Sequence, residues 1–373
     1  MQNTSDFIRK VLSESFSDET PCAVCTDKGE NNNNVVSTHG YYNNNKEVKS
    51  QTKSSTVSTK SLVVPKRPLS SAKDSHLTQR VKATVPALSR ARSKGACGRI
   101  GIIGGCTTHT GAAYFAAISA LKSGADIVHI FCDAEAGPVL RMYCAELIIH
   151  PTLDQEYGLV ELDAWLPNLD CVVLGHGLGK SQQLMGRISI ILDKIKRLKL
   201  PIVIDGDGLR HVMVSPGVLR GYKRAVITVN TEELSQLVEA LLQKEVPLAV
   251  CTGGDIVEEL SRALGHVTII HKGEQDIISD GYCTEDCHAG GSPRRCGGQG
   301  NILTGMVATF LHWSYSSESC PEPSITAGWG ACRLVRACAE QGYNMEGRGL
   351  TAAGIVNQIH SEFARLFDSE TFF

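Results

Sequence analysis

The chain has 373 residues, 42% of them hydrophobic, with 36 glycines. That is enough for about two or three domains, or for one large α/β domain carrying an extension. No apolar run approaches the ~18 residues that cross a bilayer, and Met1–Asp6 lacks the apolar core of a secretory signal. The fourteen cysteines therefore point to reduced thiols, not to a disulfide scaffold. The net charge of −2 hides a split: residues 1–93 hold 14 basic and 8 acidic side chains, and the remainder holds 23 and 31. An acidic body argues against a nucleic-acid partner, because phosphate neutralisation needs clustered Lys and Arg.

Residues 1–93 read as a disordered basic tail. Asn31–Asn34, Asn43–Asn45 and the Ser/Thr/Lys-rich stretch Ser50–Ser61 bury too little apolar area to offset their ordering entropy. A transit peptide is the alternative, since Asp74 is the sole acid in 48–93, but Asp6, Glu14, Asp18 and Glu19 disfavour it. The expected location is thus cytoplasmic, with a mitochondrial one as the alternative. Cys22-Ala-Val-Cys25 has no second pair at zinc spacing and reads as incidental.

From Gly98 onward strand and helix patterns alternate. Arg99–Ile103, Ile127–Phe131, Cys171–Leu174, Pro201–Ile204, Ala225–Thr228 and Val267–Ile270 are short β-branched runs. Helical spacing covers 112–123, 181–198, 232–243 and 254–264, and the C-terminal part reads as all-helical over 302–313, 325–341 and 350–367. Asp280-Gly281 marks a small hairpin. Strands that are apolar on both faces and alternate with helices predict a mostly parallel sheet covered on both sides, in a domain spanning 94–373.

In such a sheet ligands bind beyond the carboxyl ends of the strands. The segments there are Gly104–Gly111, Gly175–Gly179, Asp205-Gly-Asp207, Asn230–Glu233, Lys272–Asp276 and Cys296–Gly300. Each glycine loop alone could be a tight turn; six such strand-end segments in succession, five of them with glycine, suggest a phosphate-rich ligand. Gly297–Gly300 leads straight into a helix and is the best anion cradle. Gly179-Lys180-Ser181 lacks the first glycine of a P-loop, and no segment has G-x-G-x-x-G spacing. Asp205 and Asp207 could equally be helix caps. Asn230 and Glu233 suit either a hydrated Mg²⁺ or a capping box. His109, His150, His176 and His271 form no triad and read as structural or ligand-lining. Cys132, Cys171, Cys251, Cys332 and Cys338 read as core residues.

From Lys94 to Phe367 the sequence resembles the ATP-dependent (S)-NAD(P)H-hydrate dehydratases, which are ribokinase-like. The resemblance rests on Gly98–Cys106, Tyr114–Lys122, His150-Pro-Thr-Leu-Asp154, Arg294-Arg-Cys-Gly-Gly-Gln-Gly300 and Gly330-Ala-Cys332. It implies repair of nicotinamide-hydrated NADH or NADPH: ATP phosphorylates the ring hydroxyl and phosphate is eliminated. It implies that Gly177 and Asn230, Thr231, Glu232, Glu233, Leu234, Ser235 and Gln236 contact the hydrate. ATP would lie on Lys272, Gly273, Glu274, Gln275 and Asp276, and on Gly291, Ser292, Pro293, Arg294, Arg295, Cys296, Gly297, Gly298, Gln299 and Gly300. Mg²⁺ would be ordered through water by Asn230 and Glu233. The partners implied are these small molecules, with no nucleic acid and no membrane; a homo-oligomer stays open. The catalytic position departs from the family, which has Asp where this chain has Asn301. An amide has no proton affinity near neutral pH, so a large fall in rate is expected with binding better preserved. His176 stands where Pro is usual and His109 where Tyr is. A non-catalytic nucleotide-binding protein and a small-molecule kinase of the same fold are the alternative readings.

Overall fold

The computed structural model describes residues 72–179, 182–244 and 253–368. Nine strands form one sheet in the order β3-β2-β1-β4-β5-β6-β7-β8-β9. They are β1 Arg99–Gly104, β2 Ile127–Cys132, β3 Ile148–Pro151, β4 Cys171–His176, β5 Ile202–Ile204, β6 Ala225–Val229, β7 Thr268–His271, β8 Asp276–Ser279 and β9 Thr284–Cys287. Every pairing up to β7 is parallel, and β8 and β9 are added antiparallel. The hairpin expected at Asp280-Gly281 joins β8 to β9, where Asp280 Oδ1 accepts the Tyr282 and Cys283 N–H groups at 2.8 Å.

Alternation along the strands divides the core into two layers. Ile100, Ile102, Val128, Ile130, Val173, Val203 and Val226 face the helices Thr110–Lys122, Gln299–Ser316 and Pro323–Glu346. Ile103, Phe131, Val172, Leu174, Ile202, Ile204 and Ile227 face the helices Gln182–Arg197, Gly206–Val214, Thr231–Leu242 and Gly254–Ala263. Gly305 lets the first layer close up. A Cβ there would stand 2.0 Å from Ala116 O and 2.3 Å from Ser119 Oγ, so these two helices meet backbone to backbone.

Several elements differ from expectation. The helices Ala136–Tyr143 and Gly158–Trp165 were hidden because each is short and has glycine or proline in its first turn, whereas the helix implied after Asp205 is present as Gly206–Val214. β3 ends in Pro151 on the edge of the sheet, where a missing N–H is tolerated. The stretch 350–367 is two helices, Ala352–Asn357 and Ile359–Phe367, because Gln358 N donates to Ile355 O at 3.0 Å and tightens the turn.

The tail reading needs a larger correction. Ala72–Thr84 is a helix. Apart from two alanines its only apolar residues are Leu77 and Val81, but these share one face and are 2% and 1% exposed against the first layer. Arg80 Nη2 fastens it by donating to Glu322 Oε2 at 2.7 Å and to Thr326 Oγ1 at 2.8 Å. Cys22–Cys25, Lys180, Ser181 and Cys251 lie outside the described residues, as does the rest of the expected tail up to residue 71. Among the described residues no helix is long and apolar enough to cross a membrane. Cys132, Cys171, Cys332 and Cys338 are wholly buried, as expected.

Candidate active site

The order of strands reverses between β1 and β4, the switch point beyond whose carboxyl ends sheets of this kind carry their ligand crevice. The loops expected to hold ligand converge there. Gly105 N donates to Gly177 O at 3.0 Å, tying the loop after β1 to the loop after β4. Gly177 lies against His109, whose Cβ would be 2.6 Å from an added Cβ.

Next along the sheet, Lys272 Nζ donates to Asp205 Oδ1 at 2.8 Å and lies 3.8 Å from Glu233 Oε2, joining the ends of β5, β6 and β7. Burial is the largest single influence on both Lys272 and Asp205 and opposes their charges, but their partners together outweigh it: Asp205 and Glu233 hold the ammonium above its usual range, and Lys272, His176 and Thr228 hold the Asp205 carboxyl below. Asp205 starts the helix Gly206–Val214 yet makes no capping bond with its side chain, and Asp207 pairs with Arg210 at 3.2 Å. The capping reading of both acids is thus replaced by ion pairing.

Gly298 turns the chain into the helix Gln299–Ser316 with φ +94°, a conformation natural only to glycine. The first intrahelical bond runs from Ile302 N to Gly298 O, so the amides of Gln299, Gly300 and Asn301 have no partner within the helix. Gly300 brings this positive helix end onto the ion pair: a Cβ there would lie 3.5 Å from Lys272 Nζ and 3.7 Å from Asp205 Oδ2. Free N–H groups beside an ammonium suit a polyanion. Beneath them His176 is 3% exposed, and its Nε2 lies 2.6 Å from Thr304 Oγ1, which donates to Asn301 O at 2.8 Å. Burial holds the His176 ring below the usual histidine range, against the opposing pull of Asp205.

The remaining expected contacts fall into two groups. A cavity of about 570 Å³ is lined by Glu274, Gln275, His288, Gly290, Gly291, Ser292, Pro293, Arg295 and Arg336. Arg295 Nη2 links its two sides by donating to Gly273 O at 3.3 Å, and Gln299 Nε2 donates to Arg294 O at 3.1 Å and lies 3.4 Å from Cys296 Sγ. Asp276 accepts the Gly273 N–H at 3.0 Å, and burial raises its carboxyl. In the second group, Asn230 and Glu233 form a full capping box, each side chain accepting the other's backbone N–H at 2.8 Å. Thr231 Oγ1 lies 3.2 Å from His271 Nε2. Glu232 and Gln236 are exposed, Ser235 is half-buried, and the Leu234 side chain belongs to the core. Among the described residues no three His, Cys, Asp or Glu side chains converge on a metal.

Two features escaped sequence reasoning. Arg336 reaches the cavity from the middle of the helix Pro323–Glu346, far from any loop. Asp133 follows β2 directly, the kind of position singled out after the other strands; burial and then Asp154 raise its carboxyl to about 6. His150 takes the structural one of its two expected roles: it lies on β3, with its two ring nitrogens 3.0 Å from His129 Nδ1 and 3.0 Å from Glu161 Oε1.

Comparison with known proteins decides the kinship. The NAD(P)H-hydrate dehydratase family matches this chain over residues 100–361. The chain belongs to that family. The bovine ATP-dependent (S)-NAD(P)H-hydrate dehydratase is 44% identical over 300 residues, 79% of this chain and 90% of the bovine protein. The human enzyme of that name is 41% identical over 295 residues, 78% of this chain and 84% of its own. A ribokinase-like protein of Enterococcus faecalis superposes with a TM-score of 0.63 at 18% identity, over 78% of this chain and 94% of that one. The Bacillus subtilis ADP/ATP-dependent NAD(P)H-hydrate dehydratase, co-crystallised with ATP and Mg²⁺, gives 0.59 at 19% identity, over 78% and 97%. The dehydratase family thus has the ribokinase-like fold seen here.

Proposed function

We propose that this family member is an ATP-dependent lyase that dehydrates the S epimer of hydrated NADH and NADPH. ATP lies along the cavity with its phosphates at the amino end of the helix Gln299–Ser316. The ring hydroxyl accepts the terminal phosphoryl group, and elimination of phosphate restores the nicotinamide. One observation carries the reading: the helix end that bears the unpaired N–H groups of Gln299, Gly300 and Asn301 comes up against the Lys272 ammonium at Gly300. Phosphoryl transfer depends chiefly on positioning and charge neutralisation, and these groups supply both. The hydrate lies on the Gly177 side, within reach of the first turn after Asn230.

Mg²⁺ fits this site through water. Asn230 Oδ1 and Glu233 Oε2 are taken up by the capping box, so the acidic end of Glu233 offers a hydrated ion one remaining oxygen. When bound it would neutralise charge on the ATP phosphates.

Asn301 can orient the hydroxyl by hydrogen bonding but cannot take its proton. That amide supports a second reading, a nucleotide-binding protein with little turnover. The test is to incubate the protein with ATP, Mg²⁺ and hydrated NADH and follow the return of reduced-nicotinamide absorbance. Asn301→Asp is expected to raise the rate by about a hundredfold with ATP affinity unchanged. Activity only in the Asp variant favours the binding protein. ATP consumed on another alcohol, with no nicotinamide restored by either form, favours a kinase.

A further inference from the structure

Arg336 holds together both walls of the cavity from outside them. Its Nη1 donates to Asp276 Oδ2 at 3.3 Å, and its Nη2 donates to Glu274 O at 2.7 Å on the turn between β7 and β8. The same Nη2 donates to His288 O at 3.2 Å and to Gly290 O at 3.1 Å, on the loop that follows β9. The Arg336 carbonyl in turn accepts the Gly291 N–H at 2.9 Å. The side chain is 10% exposed, and its buried Nε has no partner. One planar guanidinium thus bonds four acceptors on two segments that part where the β8–β9 ladder ends, at the pair Asp276 and Cys287.

The geometry points to Arg336 as a positioning residue for the nucleotide: it sets the gap between the two walls of the cavity and leaves the reacting groups alone. This rests on the assignment of ATP to that cavity. Asn301, Lys272 and Gly300 do not touch it, so its effect falls on affinity for ATP and not on affinity for the hydrate. Preorganised walls bind more tightly because their ordering is completed before the ligand arrives.

Calorimetry and amide exchange test this together. Arg336→Met is expected to weaken ATP binding about tenfold, to leave binding of hydrated NADH unchanged, and to speed exchange in both 272–276 and 288–293 while the core helices keep their protection. Arg336→Lys keeps the charge and a fraction of the bonds, and is expected to fall between. Unchanged ATP affinity in a folded Arg336→Met overturns the proposal, as does equal weakening for both ligands. Should Arg336→Met fail to fold, Arg336→Lys is read by the same criteria. Absence of heat with ATP in the wild-type protein overturns the nucleotide assignment itself. The clamp is then judged by exchange alone, and unchanged exchange in the two segments overturns it as well.

Discussion

Gly300 occupies the point where the helix end meets Lys272, and in the function proposed here its missing side chain leaves room for a phosphate. Its backbone is helical and the nearest neighbours of an added Cβ stand at ordinary contact distance. Gly300→Ala is therefore expected to leave the protein as stable or up to about 1 kcal/mol more stable in urea, while ATP affinity measured by calorimetry falls about tenfold. His129 sets a pH dependence. Burial, with His150 and Arg99 adding, lowers its pKa to about 4. The neutral ring is favoured in the fold, so its contribution is intact above the unfolded value of about 6.5 and is lost as pH falls from there towards 4. Asp133, raised to about 6, titrates in the same window with the opposite sign. The check is therefore a comparison of urea midpoints at pH 7 and pH 4.5: His129→Gln should lose less stability on acidification than the wild type. The Asn230 and Glu233 pair was legible as a capping box from its spacing. The choice between capping and ion pairing for Asp205 was not, because Lys272 lies 67 residues away in the chain.

At the scale of elements, one substitution should act with opposite sign at two positions of a single helix. Gly305→Ala, five residues beyond Gly300, places a methyl group against the Ala116 carbonyl, and is expected to cost about 2 kcal/mol or more in chemical denaturation. The six β-branched runs all became strands, because a buried parallel strand is written continuously in apolar residues. β3 was missed because its register comes from pairing with β2 over only four residues, His129 to Ile148 onward. Short helices opened by glycine or proline were missed because local sequence there signals turns, and packing on the sheet overrides it.

For the molecule as a whole, the fold extends further towards the amino terminus than composition suggests. A chain beginning at residue 87 loses the buried Leu77 and Val81, each contributing about 2 kcal/mol. It should unfold in urea some 4 kcal/mol more easily than a chain beginning at residue 72. Composition averaged over a hundred residues cannot register two side chains on one helical face. The site was legible as a set of strand ends because the sheet topology converts order in sequence into proximity in space; the Arg336 link was not, since nothing local distinguishes it from a solvated helical arginine. The floor of the crevice is made largely of main chain, from Gly104 and Gly105 through Gly177 to Gly298 and Gly300. Systematic trimming of side chains would pass over these residues in silence, since they have nothing to trim. If they hold a polyanion as proposed, their part in it reveals itself only when bulk is added.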